Sequence, residues 1–70
     1  MSAAMRSIVD TYVRYGNRAA LEDLRAHHGR SAVGLRTLAG PYDTSKLIAQ
    51  IEDEIALIDA GLAKLKAAAA

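Results

Sequence analysis

Between Ile48 and Leu65 apolar residues recur at alternating steps of three and four. The positions are Ile48, Ile51, Ile55, Ile58, Leu62 and Leu65. This heptad seam predicts one long amphipathic helix. Asp43 is placed to cap its start, with Tyr42 before it and Leu47 at the fourth helical position as a hydrophobic staple. From Thr44 to about Lys66 such a helix spans roughly 34 Å at 1.5 Å per residue. Ala67 to Ala70 read as a frayed tail.

The first half is less regular. Ser2 can cap a first helix whose apolar stripe is Met5, Ile8, Tyr12 and Tyr15, with Val9 beside it. Arg6, Asp10, Arg14 and Arg18 follow at steps of four on the other side, the pattern of a solvated, ion-paired face. Continued without a break, this helix would turn Leu21 and Leu24 onto the arginine face. A register change is therefore needed, and Gly16-Asn17 supplies it, Gly as a helix terminator and Asn as an N-cap. One bent helix is the competing reading. Leu21, Leu24 and His28 share the new face; Gly29 is expected to end this segment and Ser31 to cap a short helix that buries Leu35 and Leu38. Gly40-Pro41 then stops it.

The run from Ala3 to His28 matches the long helix in length, which suggests two antiparallel arms. The fold class expected is all-α: an antiparallel helical hairpin or small helix bundle with a long C-terminal amphipathic helix, oligomeric in solution. One domain covers 1–70, with basic N-terminal helices over 1–40, the heptad helix over 41–66 and the tail over 67–70.

The flanks of the seam say what it can pack against. With Ile48, Ile55 and Leu62 as a positions and Ile51, Ile58 and Leu65 as d, Ile fills most of the core, which favours three or four helices over a parallel dimer. The e positions carry Glu52, Asp59 and Lys66, and the g positions Leu47, Glu54 and Gly61. Parallel self-pairing sets Glu54 against Asp59 and antiparallel self-pairing sets Glu52 near Asp59, both repulsive. Each such pair is worth only about 0.2–0.5 kcal/mol against about 1.5–3 kcal/mol for burying an Ile or Leu, so charge selects the partner and apolar burial holds it. A basic helix suits this seam, and the chain's own N-terminal arm is the expected occupant. Ala49, Ala56, Ala60, Ala63 and Ala67 lie roughly opposite the seam, where good helix formers are the simplest explanation. Leu57, between the two faces, would be exposed in a lone hairpin and points to a second interface.

Composition narrows the partners. A chain of 70 residues makes a small core, and the absence of cysteine removes disulfide support, so association is the default expectation. The net charge of +1 hides an asymmetry: arginines dominate up to Gly40, whereas Asp43, Glu52, Asp53, Glu54 and Asp59 oppose three lysines afterwards. No apolar run approaches the roughly 20 residues of a membrane span and no leader pattern opens the chain. A cytoplasmic protein without a membrane partner is expected.

Catalysis has little to build on. His27 and His28 point about 100° apart on a helix and cannot clamp one metal together, while Asp23 and His27 form at most half a site. The expected reading is a polar helix end. Glu52-Asp53-Glu54 reads as a solvated face; Ser7, Ser31 and Ser45 lack a base; no glycine-rich phosphate loop is present. No catalytic, cofactor or metal residues are expected. The function expected is a non-enzymatic helical interaction or oligomerisation module, serving as adaptor, assembly component or accessory subunit. Its interface would be the seam together with Met5, Ile8, Tyr12, Tyr15 and Leu57, and its partner another copy, a larger protein, or both. The alternative is a helix-turn-helix-like DNA-binding protein, with Gly29 at the turn, Arg30 and Arg36 toward nucleic acid and the long helix as dimeriser.

Overall fold

The computed structural model describes every residue except Met1, Ser2, Ala39, Pro41, Tyr42 and Ala70. The described residues form three helices, α1 (Ala3–Arg14), α2 (Arg18–Thr37) and α3 (Ser45–Ala69), in a body of 46 × 20 × 15 Å. Ion pairs join Arg25 to Asp59 and Arg36 to Glu52, so α2 runs antiparallel to α3. Ala3, Arg6 and Ser7 lie beside Lys46, Gln50 and Asp53, whereas Val9 and Val13 reach Gly61, so α1 runs parallel to α3. The order is up, down, up. α3 packs most extensively on α2, then on α1, and α1 touches α2 least.

The break expected at Gly16-Asn17 is present. Gly16 has φ +66°, the left-handed conformation that glycine adopts without a Cβ penalty. Its N–H donates to Val13 O and that of Asn17 to Tyr12 O, the paired bonds of a Schellman terminus. Asn17 Oδ1 then accepts from the Ala20 N–H at 3.1 Å and opens α2.

Gly29 does not end α2, and Ser31 does not cap a new helix. The helix continues through Gly29 and Gly34 to Thr37. The reason is a stripe longer than expected: Leu21, Leu24, His28, Ala32 and Leu35 step by three or four, and all are buried or half-buried. Burying it outweighs the cost of about 1 kcal/mol for a glycine inside a helix. His27-His28 therefore lies in mid-helix rather than at a helix end.

α3 begins at Ser45, with Thr44 at the boundary. Its first turn is held by Ile48 N–H donating to Thr44 O, and Thr44 Oγ1 reaches Leu35 O at 3.4 Å. Asp43, one residue earlier than a true N-cap, accepts from both the N–H and the hydroxyl of Ser45. Those bonds, the hydroxyl's first, hold the Asp43 carboxyl below its ordinary range. α3 includes Ala67 to Ala69 of the expected tail. The Ser2 cap, the Pro41 stop and the Tyr42 staple lie outside the described residues.

The core is small: Val9, Leu21 and Ile58 are buried together, with Met5, Tyr12, Val13, Leu24, Leu57, Leu62 and Leu65 packed around them. At its centre α1 crosses Gly61, where a Cβ would lie 2.7 Å from Val9 Cγ1 and 3.1 Å from Val13 Cγ2. The heptad glycine is the point of close approach.

Candidate functional site

The six seam residues all turn inward. Ile58 is fully buried and Ile48, Ile51, Ile55, Leu62 and Leu65 are half-buried. Acidic flanks of the seam meet basic groups, as their charge requires, and the groups come from α2: Arg25, within the expected Ala3–His28 arm, and Arg36, beyond it. Arg25 Nε donates to Asp59 Oδ1 at 2.6 Å, and Arg36 Nη2 to Glu52 Oε2 at 2.7 Å. The hydrogen bond and charge of Asp59 raise the Arg25 pKa further. Both pairs are about half exposed, which limits what they contribute to stability.

The third contact is different. His28 Nε2 lies 2.9 Å from Glu54 Oε1, and the two side chains keep only 11% and 15% of their exposure. His28 Nδ1 lies 3.0 Å from Leu24 O. Glu54 shares a face of α3 with Leu57 and Gly61, at steps of three and four, and these two line the side that α1 overlies. The histidine signal in the sequence thus marks a buried polar link between α2 and α3. Among the described residues no group of three His, Cys, Asp or Glu is arranged to hold a metal.

α1 divides the stripe expected of it. Met5 and Tyr12 turn inward with Val9 and Val13, while Ile8 is 41% exposed and Tyr15 76% exposed. Leu57 packs against the core instead of standing exposed. Ala49, Ala56, Ala60, Ala63 and Ala67 all face solvent. Val33, Leu38 and Leu47 add exposed apolar surface on α2 and at the start of α3. Where α1 splays from α3, Ala3, Arg6 and Ser7 face Lys46, Asp53 and Leu57 across an open groove of about 900 Å³.

The nucleic-acid alternative loses its turn, since Gly29 lies inside a continuous helix. Arg30 is exposed, and Arg36 is engaged with Glu52.

Val9, Val13, Ala32 and Gly61 were the contributors hardest to see in the sequence. Val9 and Val13 are four apart, as an inward pair must be, but the Ile8–Tyr15 spacing fits a helix face equally well. No helix among the described residues is long and apolar enough to cross a membrane. No protein-family model, curated protein or solved structure matches the chain.

Proposed function

We propose that the chain is a non-enzymatic helical protein–protein interaction module, acting as an adaptor, assembly component or accessory subunit. One observation carries the reading: the chain exposes 4975 Å². A compact monomer of its mass, 7.4 kDa, exposes about 4,200 Å². The excess goes with an elongated body of 46 × 20 × 15 Å, which leaves large side chains uncovered. Large apolar side chains on all three helices contribute to it: Ile8, Tyr15, Val33, Leu38 and Leu47. The acidic flanks of α3 meanwhile engage α2. Association through helix faces is what such a surface favours.

The test is recovery of the tagged chain from its native source, with bound protein and bound nucleic acid assayed separately. A stoichiometric protein partner, whether another copy or a different chain, is expected, and Ile8→Arg or Leu47→Arg should weaken its retention. Recovery of the chain alone, or with nucleic acid only, would overturn the proposal. Duplex binding at low salt that is lost in Arg30→Ala would support the DNA-binding alternative instead.

A further inference from the structure

α1 is joined to the rest of the fold by a short hinge and an apolar fit. Tyr15, Gly16 and Asn17 separate it from α2, and among the described residues Gly16 alone has a positive φ. No ion pair or side-chain hydrogen bond among the described residues ties α1 to α2 or α3, and α1 lies mainly on α3, with Val9 and Val13 over Gly61. If Gly16 turns from the left-handed to the ordinary helical conformation, Ala3 to Thr37 becomes one rod of roughly 52 Å. In that rod the inward arc of α1 around Val9 and the stripe of α2 from Leu21 to Leu35 lie about 115° apart. One α3 cannot cover both. The arc of α1 then fits only the α3 of another copy.

We propose that two copies of the chain exchange α1: with Gly16 straightened, α1 of each seats Val9 and Val13 over Gly61 of the other, and Gly16 is the catch that holds the closed monomer. The inference rests on the interaction-module reading and names its partner. The seat itself says what occupies it, because it already holds α1, and a second copy supplies the identical helix. The helix order permits a two-fold pairing. α2 runs antiparallel to α3 and α1 parallel to it, so a rod antiparallel to its own α3 meets a second α3 that runs the opposite way. Two antiparallel α3 helices are what a two-fold axis across them produces, and every contact is then made twice. Closed and exchanged forms share the contacts of α1 on α3, so the balance lies in the hinge and in concentration. The closed form keeps the Asn17 cap on Ala20 and the bonds that end α1. The rod instead places a glycine in mid-helix and sets Arg14 four residues from Arg18, a like-charge pair. Both favour closure, so exchange takes a high concentration or an altered hinge.

Gly16→Ala tests the catch. No atom lies within 4 Å of a Cβ at Gly16, so the substitution acts on conformation and not on packing. Alanine is disfavoured in the left-handed region and favoured inside a helix, at two hinges per dimer, so the dimer dissociation constant should fall by about a hundredfold or more. Asn17→Ala removes the cap and should act in the same direction by a smaller factor. Two glycines inserted after Gly16 should keep the chain closed. The chain has no cysteine, and the exposed residues Asp10 and Ala60 line one small cleft between α1 and α3. With Asp10→Cys and Ala60→Cys in one chain, a short thiol crosslinker should act within the chain at low concentration, between chains in the Gly16→Ala dimer, and increasingly between chains as the otherwise wild-type protein is concentrated. A Gly16→Ala chain that stays monomeric by sedimentation at several hundred micromolar overturns the inference. So does a dimer crosslinked only within its chains, an otherwise wild-type protein crosslinked only within chains at every concentration, or a glycine-lengthened chain that dimerises as readily as Gly16→Ala. A monomeric Gly16→Ala chain that still captures a different protein in the recovery experiment overturns the exchange alone and leaves the interaction-module reading standing.

Discussion

His28 and Glu54 show how much depends on the neighbours of a polar residue. Their contact is nearly dry, so removing one member leaves the other buried with a hydrogen-bonding position unfilled. Glu54→Ala should destabilise the fold by about 2–3 kcal/mol, somewhat less than for a fully buried pair. Replacing both by Leu should recover most of that loss, and a double-mutant cycle in urea measures the difference. If the double variant is no better than the worse single one, the pair is not the unit that matters. Asp43 makes a prediction of opposite exposure. Its folded pKa is depressed by the bonds from Ser45, so the stability it gives is present above the unfolded carboxylate value of about 3.9 and disappears as pH falls through the lower folded value. An acid titration of α3 helicity should show this loss, and Asp43→Asn should flatten it.

At the scale of elements, α3 was legible because one unbroken seam specified its face, and the α1–α2 break was legible because glycine and asparagine sit where a terminator and a cap are needed. The extent of α2 was not. Gly29 followed by Arg30 and Ser31 carries the local signals of a turn, and only the continuation of the stripe through Ala32, a residue too small to stand out, argues for a helix. The face of α1 was ambiguous for another reason. Met5, Ile8, Tyr12, Tyr15 and Met5, Val9, Tyr12 both fit helical spacing, and the choice is made by Gly61 on a different element, which admits the valines closely. The all-helical class was thus readable from local pattern, whereas the inward face of α1 and the partner of the acidic flanks needed the tertiary arrangement. Gly29 and Gly34 give a direct check on α2. A Cβ at either position meets nothing within 4 Å and neither has positive φ, so Gly29→Ala and Gly34→Ala should each stabilise the protein by about 0.5–1 kcal/mol. A turn at Gly29 would make the first substitution destabilising, and thermal unfolding distinguishes the two.

In the molecule as a whole, the three helices are held by unlike means. α2 and α3 share the inter-helix ion pairs and the buried His28–Glu54 contact, whereas among the described residues no ion pair or side-chain hydrogen bond joins α1 to either. α1 depends on the fit of Val9 and Val13 over Gly61. Gly61→Ala gains helix propensity of about 1 kcal/mol but drives a methyl into Val9, whose χ1 is stiff and whose side chain is buried. Overpacking of this kind costs about 1–3 kcal/mol, so a net loss confined to α1 is expected, seen as faster amide exchange in Ala3–Arg14 with α2 and α3 little changed. The same division sets how the molecule responds to cold. Apolar attachment weakens on cooling while charge pairing does not, so a chilled sample should release α1 first, leaving α2 and α3 paired and the underside of α1 free to engage a neighbour.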